Sequence, residues 1–344
     1  MRIALIGFGG VGKALLRLLQ EKREYLLSEG IDPKVTYILA SRGGLFCPDG
    51  VDPQALFEHL ERGGCVDTFP KGGSPEITPD YLAQKADVDV AIDLLPTNKH
   101  TGQPGLNCVQ RLLDRGIHVI LADKGPAMLA YHDLARRANN HGVQLGLGCT
   151  TGGALPSING GLLDLAGARI QSIEGVLNGT TNFIIQEMEQ TGCTYPQALK
   201  KAQDCGIAET DPSLDVEGWD TAGKLLILTN VLMGQNKTLE DISVTGITGL
   251  TPEDIGSARA AGRKYKLIGT ARRNQQGQLE MTVAPRAIGP EHSLFSADGK
   301  NKAVRYTSDT LGDLTLMGGA SGTTPAAASV LRDLINIHRG CRFV

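Results

Sequence analysis

Aromatic side chains are scarce: only 4% of the 344 residues are Phe, Trp or Tyr, and there is one Trp. The core must therefore be built from aliphatic residues, which the 41% hydrophobic content supplies. No apolar run reaches the ~18 residues of a membrane-crossing helix, so no membrane partner is expected. Neither sign of charge is in excess: the net charge is -3 and the pI about 6.2. Such a balance leaves no electrostatic footprint for nucleic acid. The seven cysteines (Cys47, Cys65, Cys108, Cys149, Cys193, Cys205, Cys341) are odd in number and form no CxxC. That pattern points to reduced thiols in the cytoplasm, with Cys149 read as packing rather than as a nucleophile. His100, His118 and His132 share no ligand spacing, so no metal is expected among them. The first strand begins at Arg2, and no leader is expected before it.

What is present has a rhythm. Strand-like runs at 3–6, 35–40, 88–94, 118–121 and 143–147 alternate with helical patterns at 11–27, 105–114 and 128–139. This is the βαβ alternation of a doubly wound parallel sheet. After about residue 150 the pattern changes. A strand at 169–177 precedes helices at 181–190, 195–203 and 219–232, then antiparallel strands at 265–272 and 279–285. The fold class is therefore α/β: a Rossmann-type sheet plus a central α+β domain. Three parts are expected: a nucleotide-binding domain over 1–148, a catalytic and dimerisation domain over 149–302, and a segment over 303–344 that returns to the first. That last segment carries a strand pair (303–306, 314–316), a glycine-rich turn to Gly322, and a final helix to about His338.

Gly7-Phe8-Gly9-Gly10-Val11-Gly12 is a G-x-G-x-x-G between the first strand and the first helix. Gly7 permits a tight turn, Gly9 lets a pyrophosphate approach the backbone, and Gly12 lets helix and strand pack closely. The helix N-terminus adds free N–H groups and partial positive charge. Readers of NAD usually end the second strand with a carboxylate on the ribose. This chain has none there: the strand runs into Ala40-Ser41-Arg42-Gly43. Arg42 is suited to a 2′-phosphate, so NADP(H) is favoured over NAD(H). The alternative is a solvated turn arginine.

The most unusual stretch is 206–224, GIAETDPSLDVEGWDTAGK. Five acids (Glu209, Asp211, Asp215, Glu217, Asp220) and then Lys224 stand directly before the apolar run Leu225-Leu226-Ile227-Leu228. Setting that many charges against a core is costly unless they form a site. Asp220 and Lys224 are four apart on the expected helix and share a face. Alone, that spacing marks a surface ion pair worth a few tenths of a kcal/mol. The bared flank at Gly218, Ala222 and Gly223 suggests close approach of a ligand. Asp211 and Glu217 read as turn and cap residues.

Together these residues resemble the homoserine dehydrogenases. The signature lies in Ser172-Ile173-Glu174-Gly175-Val176-Leu177-Asn178-Gly179-Thr180-Thr181-Asn182-Phe183 and continues through Ala208-Glu209, Asp211-Pro212-Ser213, Asp215, Gly218, Asp220 and Lys224. Upstream, Pro96-Thr97-Asn98 and Ala122-Asp123-Lys124-Gly125-Pro126 are similar to two of the family's loops. The resemblance implies interconversion of L-aspartate 4-semialdehyde and L-homoserine with NAD(P)H, on the route to threonine and methionine, by a homodimer without a regulatory ACT or fused kinase domain. It assigns Lys224 and Lys124 to the substrate carbonyl and Asp220 to the catalytic arrangement, where neighbouring lysines depress each other's pKa and Asp220 opposes that. Glu209 and Asp215 are implied for the substrate ammonium, and Gly179 and Thr180 for its polar end. Thr97 and Pro126 are implied beside the nicotinamide, with Gly322 among the cofactor residues.

Two departures from the family pattern matter. Ile207 stands where the family often has Tyr, which removes a substrate-site hydroxyl. Gly148 stands where members with a monovalent-cation site carry Glu, so a Na+ or K+ site would rest on backbone carbonyls of Thr151, Gly153 and Leu155 alone. These gaps keep two rivals open: a paralogue acting on a related amino- or hydroxy-aldehyde, and a non-catalytic NADP-binding sensor. The sensor would not need Lys124, Glu209, Asp215, Asp220 and Lys224 together.

Overall fold

The computed structural model describes residues 1–344. It divides into two compact units, Met1–Thr150 with Gly322–Val344, and Thr151–Ser321. In the first unit the chain forms β1 (Arg2–Ile6), α1 (Gly10–Glu21), β2 (Lys34–Ala40), β3 (Gly43–Phe46), β4 (Gly73–Ser74), β5 (Val90–Asp93), β6 (His118–Leu121), α2 (Lys124–Asn140) and β7 (Leu145–Gly146). The sheet order is β4-β3-β2-β1-β5-β6-β7. Strands β2, β1, β5, β6 and β7 are parallel, and β3 and β4 extend one edge antiparallel. Strands β1 and β5 lie mid-sheet and are buried on both faces, which is why Ile3–Ile6 and Val90–Ile92 are apolar without alternation. With β2 on one side of β1 and β5 on the other, the strand order reverses at β1. Its C-terminal end is the crevice where such sheets take ligands.

The helix expected over 11–27 is broken. At Lys22 (φ -95°, ψ 10°) its N–H turns back to Gln20 and Leu18, and a separate short helix Arg23–Ser28 follows. A further helix, not among those expected, runs over Pro53–Glu61, and Asp52-Pro53 marks its start: the Asp52 carboxylate accepts from Gln54 N and Ala55 N, with Pro at the first helical position.

The second unit holds β8 (Ile170–Val176), α3 (Gly179–Thr191), α4 (Trp219–Leu232), β9 (Ile242–Val244), β10 (Lys264–Arg273), β11 (Leu279–Ile288), β12 (Lys302–Ser308) and β13 (Asp313–Gly318). Its sheet order is β13-β12-β8-β10-β11-β9, antiparallel except where β9 meets β11. The segment 303–344 does not return as a whole. Strand β12 pairs with β8, Ala303 against Val176 and Tyr306 against Ile173. Tyr306 is fully buried, and its hydroxyl donates to Ser157 O at 2.6 Å. A strand carrying such residues belongs inside this sheet. Only α5 (Thr323–His338) rejoins the first unit, packed on α1 with Thr323 beside Gly10. No helix is long and apolar enough to cross a membrane.

Candidate active site

Helix α4 is apolar nearly all round. From Thr221 to Val231 every residue except Lys224 is buried, including Ala222 and Gly223, so the small residues pack inward instead of opening a flank. Asp220 and Lys224 occupy the helix's one polar stripe. Lys224 Nζ donates to Asp220 Oδ2 at 2.5 Å and to Leu177 O, at the end of β8, at 2.8 Å. The two side chains are 14% and 12% exposed, which separates them from the screened surface pair that i,i+4 spacing alone suggests. An ammonium has three donors. Two are fixed by Asp220 and Leu177, and the third N–H is left to a ligand.

Asn178 organises the acids. Its Nδ2 donates to Asp215 Oδ1 at 2.7 Å and to Asp220 Oδ2 at 2.8 Å. Its Oδ1 accepts from Thr181 N at 2.9 Å and so caps α3. One buried amide thus holds two carboxylates and starts the neighbouring helix. No local feature marks Asn178 for that role. An Asn before Gly179-Thr180 reads as a cap, and its other partners lie 37 and 42 residues away.

The remaining residues of the acidic segment are dispersed. Thr180 Oγ1 donates to Ile207 O at 3.2 Å, which sets that loop beside the start of α3. Glu209 is exposed, and its backbone carbonyl accepts from Gln203 Nε2. The Asp211 carboxylate accepts from Ser213 N, and this serine holds its pKa below the usual value. Glu217 is exposed. In the turn Thr151–Leu155, Lys302 Nζ donates to Gly152 O at 2.8 Å. No group of three or more His, Cys, Asp or Glu side chains is arranged to hold a metal ion.

In the first unit, the glycine turn has the shape a dinucleotide needs. Gly7 sits at φ +104°, where a Cβ would meet the Leu94 carbonyl carbon and oxygen at 2.9 Å. A Cβ on Gly12 would lie 2.6 Å from Gly7 O. Gly9, the residue before α1, is exposed, has nothing within 4 Å of that position, and caps the helix with no side chain. The N–H groups of Gly10 and Val11 are therefore left to an anion. Phe8 is buried and stacks on Phe57 at 6.3 Å. Ser41 and Arg42 form the exposed two-residue link of the β2–β3 hairpin, since Ala40 pairs with Gly43, and the Arg42 guanidinium leans on Cys65 Sγ. Thr97 and Lys124 meet through Lys124 N donating to Thr97 Oγ1 at 3.3 Å.

Two buried acids lie beneath that pair. Asp123 caps α2 by accepting from Gly125 N at 2.8 Å. Asp93 ends β5, is fully buried, and accepts from Leu95 N through Oδ1, while its Oδ2 has no partner. A side chain at Gly105 would fall 2.7 Å from Asp93 Oδ2 and 3.3 Å from Asp123 Oδ2. Burial first, then the Asp123 carboxylate, push Asp93 up to about 7; burial likewise raises Asp123 and the nearby Cys108 thiol. An acid with a raised folded pKa binds more protons folded than unfolded between its unfolded value, about 3.9, and its folded one. Stability should therefore fall as pH rises from about 4 to about 7. Asp93→Asn stays neutral and should lose this part of the slope. Its melting temperature relative to the parent should climb with pH and level off above about 7. A gap between the two proteins that ignores pH would refute the assignment.

A family profile described as homoserine dehydrogenase matches residues 156–335. The homoserine dehydrogenase of Methanocaldococcus jannaschii is 36% identical over 99% of this chain and 100% of its own length. The NAD(+)-dependent homoserine dehydrogenase of Pseudomonas canavaninivorans is 34% identical over 98% of this chain and 96% of its own. Among solved structures, a protein assigned as a homoserine dehydrogenase from Archaeoglobus fulgidus matches with a TM-score of 0.87 at 33% identity, covering 98% of this chain and 99% of that one.

Proposed function

The chain belongs to the homoserine dehydrogenase family, and from that premise we propose that it interconverts L-aspartate 4-semialdehyde and L-homoserine. It is an oxidoreductase acting on CH–OH with a nicotinamide cofactor. The observation that carries the substrate chemistry is Lys224: Asp220 and Leu177 O fix two of its donors and leave one for a substrate oxygen. When bound, the reduced nicotinamide supplies the hydride. As the aldehyde is reduced its oxygen becomes an alkoxide. Lys224 stabilises that charge and delivers a proton to the oxygen, and in the reverse direction it receives the alcohol's proton. Asp220 holds the ammonium in line, and Lys124 is the second lysine in this proposal. Asp215 and Glu209 are assigned to the substrate ammonium, Gly179 and Thr180 to its polar end. The protein is read as a cytoplasmic homodimer serving threonine and methionine synthesis. Initial rates with L-homoserine and with other amino- and hydroxy-alcohols test the substrate. Turnover confined to another alcohol would move the assignment to a paralogous substrate, with Ile207 the first residue to examine.

For the cofactor we propose NADP(H), held by Gly7, Phe8, Gly9, Gly10, Val11, Gly12, Ser41, Arg42, Thr97, Lys124 and Gly322. The support is the exposed guanidinium at the β2–β3 link and the lack of any carboxylate at that strand end. A charge-assisted contact to a 2′-phosphate is worth ~1.5–3 kcal/mol, or about tenfold to a hundredfold. Arg42→Ala should therefore lower kcat/KM for NADPH by about that factor and change that for NADH about twofold or less. A parent enzyme that prefers NADH would sink the assignment.

A further inference from the structure

The turn Thr151–Leu155 already contains a cation. Lys302, the first residue of β12, is 8% exposed, so its ammonium is withdrawn from water. Its Nζ donates to Gly152 O at 2.8 Å and lies 3.2 Å from where a Cβ on Gly153 would be. Gly153 stands at φ +61°, and its missing side chain makes the space the ammonium fills. Another of the turn's carbonyls is engaged: Leu155 O accepts from Ser157 N at 2.8 Å. Position 148, where a carboxylate would be needed to bind a metal ion tightly, is Gly. A second monovalent cation in this five-residue turn would share it with a buried ammonium, and like charges brought together away from water repel. The donor set therefore does not fit Na+ or K+.

We propose that Lys302 is the built-in cation of this turn, taking the place a monovalent metal ion would occupy. Its second effect is positional. The ammonium ties the turn to the start of β12, and the next residue, Ala303, pairs with Val176 on β8. Leu177, which follows, carries the carbonyl that holds Lys224 Nζ. Lys302 is thus a positioning residue, acting through the β12–β8 register.

The test uses the full-length protein in choline, sodium, potassium and ammonium chloride at matched ionic strength, reading melting temperature and rate separately. The rate rests on the function proposed above; the melting temperature does not, so failure of that function and failure of this proposal are distinguishable. The parent protein should show the same melting temperature and rate in all four salts. Lys302→Met keeps the aliphatic stem and removes the charge. It should melt lower in choline and recover saturably with potassium, sodium or ammonium, with the rate following. Saturable stabilisation of the parent by sodium or potassium would overturn the proposal, as would a variant indifferent to every monovalent cation. Should Lys302→Met not fold in choline, refolding yield becomes the readout: a higher yield in potassium or ammonium chloride supports the proposal, and equal yields overturn it.

Discussion

Lys224→Ala should lower kcat for homoserine oxidation by ~10²-fold or more, the range for losing a positioned acid or electrostatic donor. The KM for the nicotinamide cofactor should stay within about twofold, because a group acting on developing charge contributes to the transition state and not to uniform binding. The glycine turn, moreover, is built wholly within the first unit. A largely buried ammonium with two donors anchored has one direction left for its third. Removal also leaves the Asp220 carboxylate, 12% exposed, without its cation, so a stability loss must be separated from a chemical one. Lys224→Met preserves the stem's packing, and Lys224→Ala combined with Asp220→Asn removes both charges. Circular dichroism and a melting curve show whether each variant is folded. A folded variant within about threefold of the parent would refute the role, since the loss of one such donor costs ~10²-fold or more.

The second large effect should come from Asn178, which touches no reacting atom in this account. Its amide supplies hydrogen bonds to two carboxylates, each charge-assisted and worth ~1.5–3 kcal/mol, and its oxygen caps α3 for about 1 kcal/mol more. Asn178→Ala removes all three and should both destabilise the protein and lower kcat/KM by about tenfold to a hundredfold. Asn178→Ser separates the roles, because a hydroxyl still accepts from Thr181 N but cannot reach both acids. It should recover most of the lost melting temperature while kcat/KM stays low. If Asp215 meets the substrate ammonium and Asp220 steadies Lys224, the loss should divide between KM and kcat. A serine variant with normal stability and normal kinetics would make Asn178 a cap and nothing more.

The parts of the molecule legible from sequence are those whose cause is local. The G-x-G-x-x-G turn declares itself because each glycine answers a steric demand within a few residues, and the demand on Gly7 is visible at φ +104°. Strand β5 was legible because both its faces are buried. The pairing of Asp220 with Lys224 follows from helical spacing. What escaped is tertiary. Strands β12 and β13 were expected to follow α5 into the first unit, because no local feature says which sheet an apolar strand joins; the pairing of Ala303 with Val176 decides it. Lys302 stands just before the strand expected at 303–306, and no local feature marks it; its partner is a carbonyl 150 residues away. Asp93 lies inside the strand expected over 88–94, and nothing local marks it, because its approach to Asp123 depends on β5 lying beside β6. Glu209 and Asp215 look alike in sequence, but only Asp215 is tied to Asn178.

On the function proposed above, this chain moves a hydride between a nicotinamide and the terminal carbon of a four-carbon amino acid. Incubating the purified protein with L-aspartate 4-semialdehyde and NADPH deuterated at the transferable position, then weighing the product, tests it most directly. The expected product is L-homoserine carrying one deuterium on the carbon that was the aldehyde, formed by the parent and much more slowly by Lys224→Ala. Cofactor that binds tightly while no deuterated homoserine forms would contradict it.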